Sequence, residues 1–139
     1  MPLADARRWS KIEGDFFSDL TTLALAKSLD GAGLRHRVIA DNVANVETPG
    51  FTRSEVRFEE KLREALASGD EEQAAGRLNG VEPDIQPDYS APARPDGNNV
   101  SMDREMAELT KNTLRYEALV QLLNLKNIMV RTAITEGRR

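Results

Sequence analysis

The chain has 139 residues, enough for one domain, and its formal net charge of −4 lacks the basic footprint of a nucleic-acid binder. Hydrophobic residues make up 40%, charged residues 30% and aromatics 5%, a balance that suits long surface helices better than a dense α/β core. The absence of cysteine excludes disulfides, thiolate catalysis and Cys-based metal sites. The stretch Met1-Pro2-Leu3-Ala4-Asp5-Ala6-Arg7-Arg8-Trp9 lacks the apolar core of a secretory signal, and no run approaches the roughly 20 apolar residues of a membrane span. Export, if it occurs, is expected to proceed without a cleaved Sec signal.

Residues 1–14 show no clear period and read as an N-terminal tail. Ser10 and Glu13 have capping-box spacing, but Gly14 follows at once. A long helix is expected from near Asp15 or Ser18. Within it Leu25, Leu29, Ala32, His36, Ile39, Val43 and Val46 recur at steps of four and three, a heptad seam on one face. Leu20, Leu23, Leu34 and Val38 widen that seam. Gly31 and Gly33 each cost on the order of 1 kcal/mol relative to alanine in a helix interior. They mark either a break or a close approach by another backbone, and a continuous, locally weak helix is the expectation. His36, the single histidine, lies on the seam. It is expected to be packed with a hydrogen-bond partner, because a metal site needs several ligands and no second soft ligand exists.

The helix should stop within Ala40-Asp41-Asn42-Val43-Ala44-Asn45-Val46-Glu47-Thr48-Pro49-Gly50-Phe51. Pro49 biases Thr48 away from the α region, and Gly50 readily takes positive φ. Thr48–Phe51 therefore predicts a type II turn, with Pro49 at i+1 and Gly50 at i+2. Asn42 and Asn45 suit the loose backbone groups of a helix end. Phe51 to Phe58 is expected to be extended or loosely looped, and Phe58 to Leu66 to form a short helix. Its Glu59 and Glu60 are adjacent and diverge, which fits a solvated face rather than acid/base catalysis. From Ser68 to Asn99 the charge run Asp70-Glu71-Glu72, four prolines and Asp96-Gly97-Asn98-Asn99 predict an irregular course. Leu78, Val81, Ile85 and Tyr89 are expected to pin it to a surface without making a core.

The last element is a helix of about 33 residues, roughly 50 Å long, with Ser101 at its N-cap and Asp103 and Glu105 in its first turn. Its expected seam is Met102, Met106, Leu109, Thr113, Tyr116, Val120, Leu123, Asn127, Val130 and Ile134, broadened by Leu119, Leu122, Ile128 and Met129. Two long heptad helices at opposite ends of the chain predict an all-α fold. They should pack as an antiparallel coiled-coil-like hairpin, with one short helix and a largely irregular, extended middle segment. The expected division is a helical rod-like core of residues 15–50 and 100–136, and a polar middle of 51–99 with its short helix near 58–67. The broad apolar faces leave flanks for neighbouring subunits or a partner to cover. The chain has no phosphate loop, no nucleophile paired with a base and no ligand cluster. No cofactor, metal, small-molecule substrate or enzyme activity is therefore expected.

The stretch Ala40–Phe51 resembles the signature of bacterial flagellar axial proteins, commonly A-x-N-[LIV]-A-N-x-x-T-P-G-[YF], which they pair with a C-terminal heptad helix. Val46-Glu47 and Phe51 stand where a small residue plus Asn, and Tyr, are commoner. Within that group the chain is similar to the proximal rod proteins. About 40 residues precede the signature, Phe58-Glu59-Glu60-Lys61-Leu62 follows it, the chain is short, and Asn99–Leu109 with Arg115-Tyr116-Glu117-Ala118 matches their C-terminal helix. The resemblance implies a structural subunit of the periplasmic rod, the drive shaft carrying torque from motor to hook. Implied partners are copies of itself and other rod proteins in a helical array, the protein joining rod base to MS ring, and the type III export apparatus. The assembly residues expected are Leu25, Leu29, Ile39 and Val43 on the first helix, and Leu109, Tyr116, Val120, Leu123 and Val130 on the last. Asn42, Asn45, Thr48, Pro49, Gly50 and Phe51 are expected to set the turn. The competing reading is a cytosolic helical adaptor or regulator that binds one partner helix.

Overall fold

A computed structural model describes residues 20–67 and 71–136. The N-terminal tail and the expected helix start near Asp15 or Ser18 lie outside them. The order is α1 (Leu20–Ala44), β1 (Ser54–Arg57), α2 (Glu59–Leu66), α3 (Glu71–Asn79), β2 (Asp84–Pro87) and α4 (Met102–Glu136). The fold is mostly helical, with the long helices at the two ends of the sequence, as the heptad periods predict.

α1 runs unbroken through both glycines. At Gly31 the neighbour is an aromatic ring rather than another backbone: a Cβ there would lie 2.6 Å from Phe58 Cδ1. Gly33 faces open space, with nothing within 4 Å of a Cβ. The two residues thus have different reasons for their effect on the helix.

The middle segment is more ordered than its prolines and charges predict. β1 pairs antiparallel with β2, Val56 opposite Ile85 and Ser54 opposite Pro87. Proline is tolerated there because the pair is two-stranded and Pro87 ends it. α3 is a second short helix, in a stretch where the charge run and prolines predict an irregular course. It inserts Ala74 and Leu78, one turn apart and 1% and 0% exposed. Lys27 of α1 donates from Nζ to the carbonyls of Asn79 (3.0 Å) and Val81 (3.1 Å), stabilising the C-terminal end of α3.

The buried apolar cluster consists of Val38, Val56, Phe58, Ala65, Leu78 and Val81, with Leu20, Leu23, Ala24, Leu34 and Leu62 packed against it. Leu78 and Val81 are therefore core residues, contrary to the expectation that they only pin a surface strand. Ile85 and Tyr89 do remain exposed. Three short elements contribute one or two side chains each, too few for any of them to show a period of its own. This core lies between α1 and the middle segment, not between the two long helices.

α4 lies antiparallel along α1. Asn42 meets Glu105, and the Ala32 carbonyl meets Asn112, so position falls on one helix as it rises on the other. The face of α4 that turns inward keeps Leu109, Leu123 and Val130 of the expected seam but has Glu105 and Asn112 where Met106 and Thr113 were expected. Glu105 and Asn112 are its buried residues, 0% and 3% exposed, whereas Met106, Thr113 and Asn127 are exposed. Apolar periodicity could not find these positions, because the buried side chains are polar and serve a hydrogen-bond network. His36 is likewise exposed rather than packed, in a groove it shares with Gly33, Asn112, Thr113 and Tyr116.

Candidate assembly site

The helix end and turn of the signature form one continuous set of backbone bonds. The Asn45 N–H is shared between the carbonyls of Asp41 (3.1 Å) and Asn42 (3.2 Å), and Val46 donates to Val43 at 3.3 Å, which tightens the last turn of α1. Phe51 N–H then donates to Thr48 O at 3.3 Å, and Gly50 has φ +72°. Both are what a type II turn over Thr48–Phe51 requires. The Asn45 side chain donates back to Asp41 O at 2.9 Å and accepts from Thr48 Oγ1 at 3.2 Å.

A second turn from the far end of the middle segment closes over this one. Asn98 is fully buried, and its Nδ2 donates to the carbonyls of Asn45 (2.9 Å), Val46 (3.2 Å) and Thr48 (2.8 Å). Arg94 also donates to Val46 O. These bonds satisfy carbonyls that the end of α1 leaves without helical partners. Gly50 N–H donates to Asp96 O at 2.8 Å, and Gly97, with φ +82°, brings its backbone against Gly50. A Cβ on Gly97 would lie 3.3 Å from Gly50 Cα.

Asn42, in the signature's helical half, points the other way. Its Oδ1 accepts from Ser54 N–H (2.9 Å), while its Nδ2 donates to Ser54 O (2.8 Å) and Glu105 Oε2 (3.0 Å). Glu105 Oε1 accepts from Arg53 Nε at 2.5 Å, and Arg53 Nη1 reaches Asp88. Asn99 Oδ1 accepts from Arg53 N–H, and its Nδ2 donates to Asp88 O, both at 2.7 Å. Arg53, Asp88 and Glu105 have side chains 6%, 7% and 0% exposed. This is a buried, nearly fully hydrogen-bonded charge network joining α1 and α4 through Arg53 and Asp88, the residues that flank β1 and β2. Burial acts to lower the Arg53 pKa, yet the hydrogen bond and charge of Glu105, with the charge of Asp88, leave it raised. Hydrogen bonding from Ser90, against the opposing effect of burial and aided by Arg53 and Arg104, holds Asp88 at about 2.

A second ion cluster crosses the same face. Arg35 of α1 grips Glu59 with both terminal nitrogens at 2.6 Å, and Arg115 of α4 bonds the same carboxylate. Glu59 is lowered in pKa: burial works against this, and the Arg35 hydrogen bond and the charges of Arg35 and Arg115 overcome it.

The structure brings Asn45, Thr48, Pro49, Gly50 and Phe51 into one turn assembly, whereas the Asn42 side chain leaves the turn and joins the buried charge network through Ser54 and Glu105. Of the expected assembly residues, Ile39 is buried. Leu25, Leu29, Val43, Leu109, Val120, Leu123 and Val130 are half-buried, and Tyr116 is 44% exposed. Leu29 and Tyr116 line one groove. Arg53, Asp88, Asn98, Asn99 and Glu105 belong to the site without any motif in the sequence that marks them. Asn98 and Asn99 read as ordinary turn residues and Glu105 as a helix-dipole carboxylate, and the only available hint was the heptad spacing of Glu105 and Asn112. The second half of α4 carries Leu122, Leu125, Ile128, Met129 and Ile134, each more than half exposed. Among the described residues there is no group of three potential metal-ligating side chains, and no helix is long and apolar enough to cross a membrane.

No family model matches the chain. It is similar to the flagellar basal body rod protein FlgB of Bacillus subtilis, 31% identical over 128 residues that cover 82% of this chain and 92% of that protein. FlgB of Borrelia hermsii is 38% identical over 68% of this chain and 80% of its own length. FlgB of Salmonella typhimurium is 30% identical with the same coverage. The signature turn, the long terminal helices and this similarity over most of both lengths agree, and the chain belongs to the FlgB family of flagellar basal body rod proteins.

Proposed function

We propose that this chain is a proximal rod subunit, a structural protein that assembles in the periplasm into the drive shaft transmitting torque from motor to hook. Its partners on this reading are copies of itself and other rod proteins in a helical array, the protein joining the rod base to the MS ring, and the type III export apparatus that delivers it. The observation that supports it most is the joined signature. Residues 42–51 of the N-terminal part are bonded to residues 94–105 of the C-terminal part, in a chain that aligns with rod proteins over most of its length. A rod under torsion needs its two terminal helices tied to each other, and hydrogen-bonded charge pairs fix that geometry through direction rather than area. The half-buried Leu25, Leu29, Val43, Leu109, Val120, Leu123 and Val130, with Ile39 and Tyr116, then complete their burial against neighbouring subunits.

Mass spectrometry of detergent-washed hook–basal bodies from the source organism tests this. The chain is expected there in amounts that persist when the filament is removed. Its absence from complete basal bodies, with the chain soluble in cytoplasm, would overturn the reading in favour of a helical adaptor.

A further inference from the structure

α4 carries apolar side chains on two opposite sides. Leu109, Leu119, Leu123 and Val130 are half-buried on the side toward α1. On the other side Leu114, Ala118, Gln121, Leu125, Ile128 and Thr132 recur at steps of four and three, all exposed, with Leu122 and Met129 beside them. This is a second heptad seam, and none of the described residues covers it. Leu114, Leu122, Leu125, Ile128 and Met129 are 52–63% exposed. They leave about 500 Å² of apolar surface in water, and two such seams face to face reach the roughly 1,000 Å² of a specific interface.

The charges beside the seam select how two copies can meet. Glu117 and Arg131 are exposed on one edge of it, two heptads apart, and neither forms an ion pair among the described residues. Two copies running antiparallel about a point near Asn124 place Glu117 opposite Arg131 twice, once on each side of that point. The same register sets Ala118 against Ile128, Gln121 against Leu125 and Leu122 against its own counterpart. A parallel pair puts Glu117 level with Glu117 and Arg131 level with Arg131, and gains no such pairing.

We propose that the outer seam of α4 pairs two copies of this chain as an antiparallel two-helix contact. The same patch serves both copies, so the contact is isologous and closes at two. It cannot extend, and it cannot persist in an array whose subunits all point the same way. The pair therefore covers the seam before assembly and opens when a subunit joins the rod. The proposal rests on the rod-assembly reading for that role alone; the contact itself follows from the seam and its charges.

Pulsed electron paramagnetic resonance on the purified full chain tests this. The chain has no cysteine, so a nitroxide on Asn124→Cys or on Thr110→Cys measures only the distance to the other copy. Labels at 124 are expected within about 20 Å of each other and labels at 110 about 40 Å apart, because position 110 lies fourteen residues from the pivot in each copy. Equal short distances at both positions, as a parallel pair gives, would overturn the proposal, and so would a chain that stays monomeric at its highest soluble concentration. Sedimentation equilibrium then reads the charges. Glu117→Arg and Arg131→Glu should each weaken the pair about fivefold, since reversal sets like charges together at both ends, and the double variant should restore it. A double variant no tighter than the singles would also overturn the proposal. These results stand apart from the basal-body measurement: the chain can be monomeric in solution yet found in the rod, and it can pair in solution yet be absent from the rod.

Discussion

The side-chain amide of Asn42 donates to Glu105 Oε2 at 3.0 Å, joining residues 63 apart in sequence at the place where α1 meets the start of α4. With Arg53 on the other oxygen of Glu105, this contact makes the signature asparagine part of the C-terminal helix's anchorage. A helix-terminus asparagine normally satisfies only local backbone. This one satisfies both backbone groups of Ser54 as well as a distant carboxylate.

Removing that side chain should therefore cost more than an ordinary hydrogen bond. Asn42→Ala leaves Ser54 N–H and C=O and one Glu105 oxygen without their partner, and should destabilise the fold by about 3 kcal/mol. Arg53→Met should cost about 3–5 kcal/mol, because it leaves buried carboxylates uncompensated. Urea unfolding followed by circular dichroism checks both. Losses under about 1 kcal/mol would show that the network is not a principal support.

The glycines of α1 should respond with opposite signs. Gly31→Ala gains about 1 kcal/mol of helix propensity but drives a Cβ to 2.6 Å from the Phe58 ring, an overpacking cost of about 1–3 kcal/mol. Net destabilisation is expected. Gly33→Ala meets nothing within 4 Å and should stabilise by up to about 1 kcal/mol. Melting temperatures of the two variants, measured side by side, decide this; equal shifts would contradict the packing of Phe58 against Gly31.

Acid should weaken the fold through Asp88. Its folded pKa of about 2 lies below its ordinary 3.8, so the unfolded chain binds more protons between these values and stability rises with pH there. The contribution, on the order of 2 kcal/mol, is complete above the ordinary value and is lost as pH falls through about 2. Glu59, also lowered, acts in the same direction. Asp88→Asn should be less stable than the parent at pH 7 and lose part of the acid dependence. An unchanged slope of stability against pH between about 5 and 2 would contradict this.

Val120 on α4 is half-buried in the single chain. If neighbours complete its burial, Val120→Asp places an unpaired charge in an apolar contact, at a cost of several kcal/mol. The variant should be exported and soluble but should fail to build rods, which swimming assays and electron microscopy of basal bodies can read. A fully motile strain carrying it would reject the residue as an assembly contact.

Much of this protein was legible from residue order alone. Proline at 49 and glycine at 50 dictate a turn through local sterics, and a four-and-three apolar repeat dictates a helix, since neither depends on distant partners. The long helices, the end of α1 and the family signature all follow from such local rules. What tertiary structure decided is where polar groups are buried. Asn42, Arg53, Asp88, Asn99 and Glu105 each look like surface or turn residues, and only the convergence of α1, β1, β2 and α4 makes them mutual partners. The same holds for Leu78 and Val81, whose segments carry too little apolar residue to show a period but meet Phe58 and Val38 in a shared core. It holds also for α4, whose inward face is chosen by Glu105 and Asn112. Hydrophobic pattern reports which side chains avoid water. Hydrogen bonds to distant partners, which decide which polar ones can leave it, exist only in the folded chain.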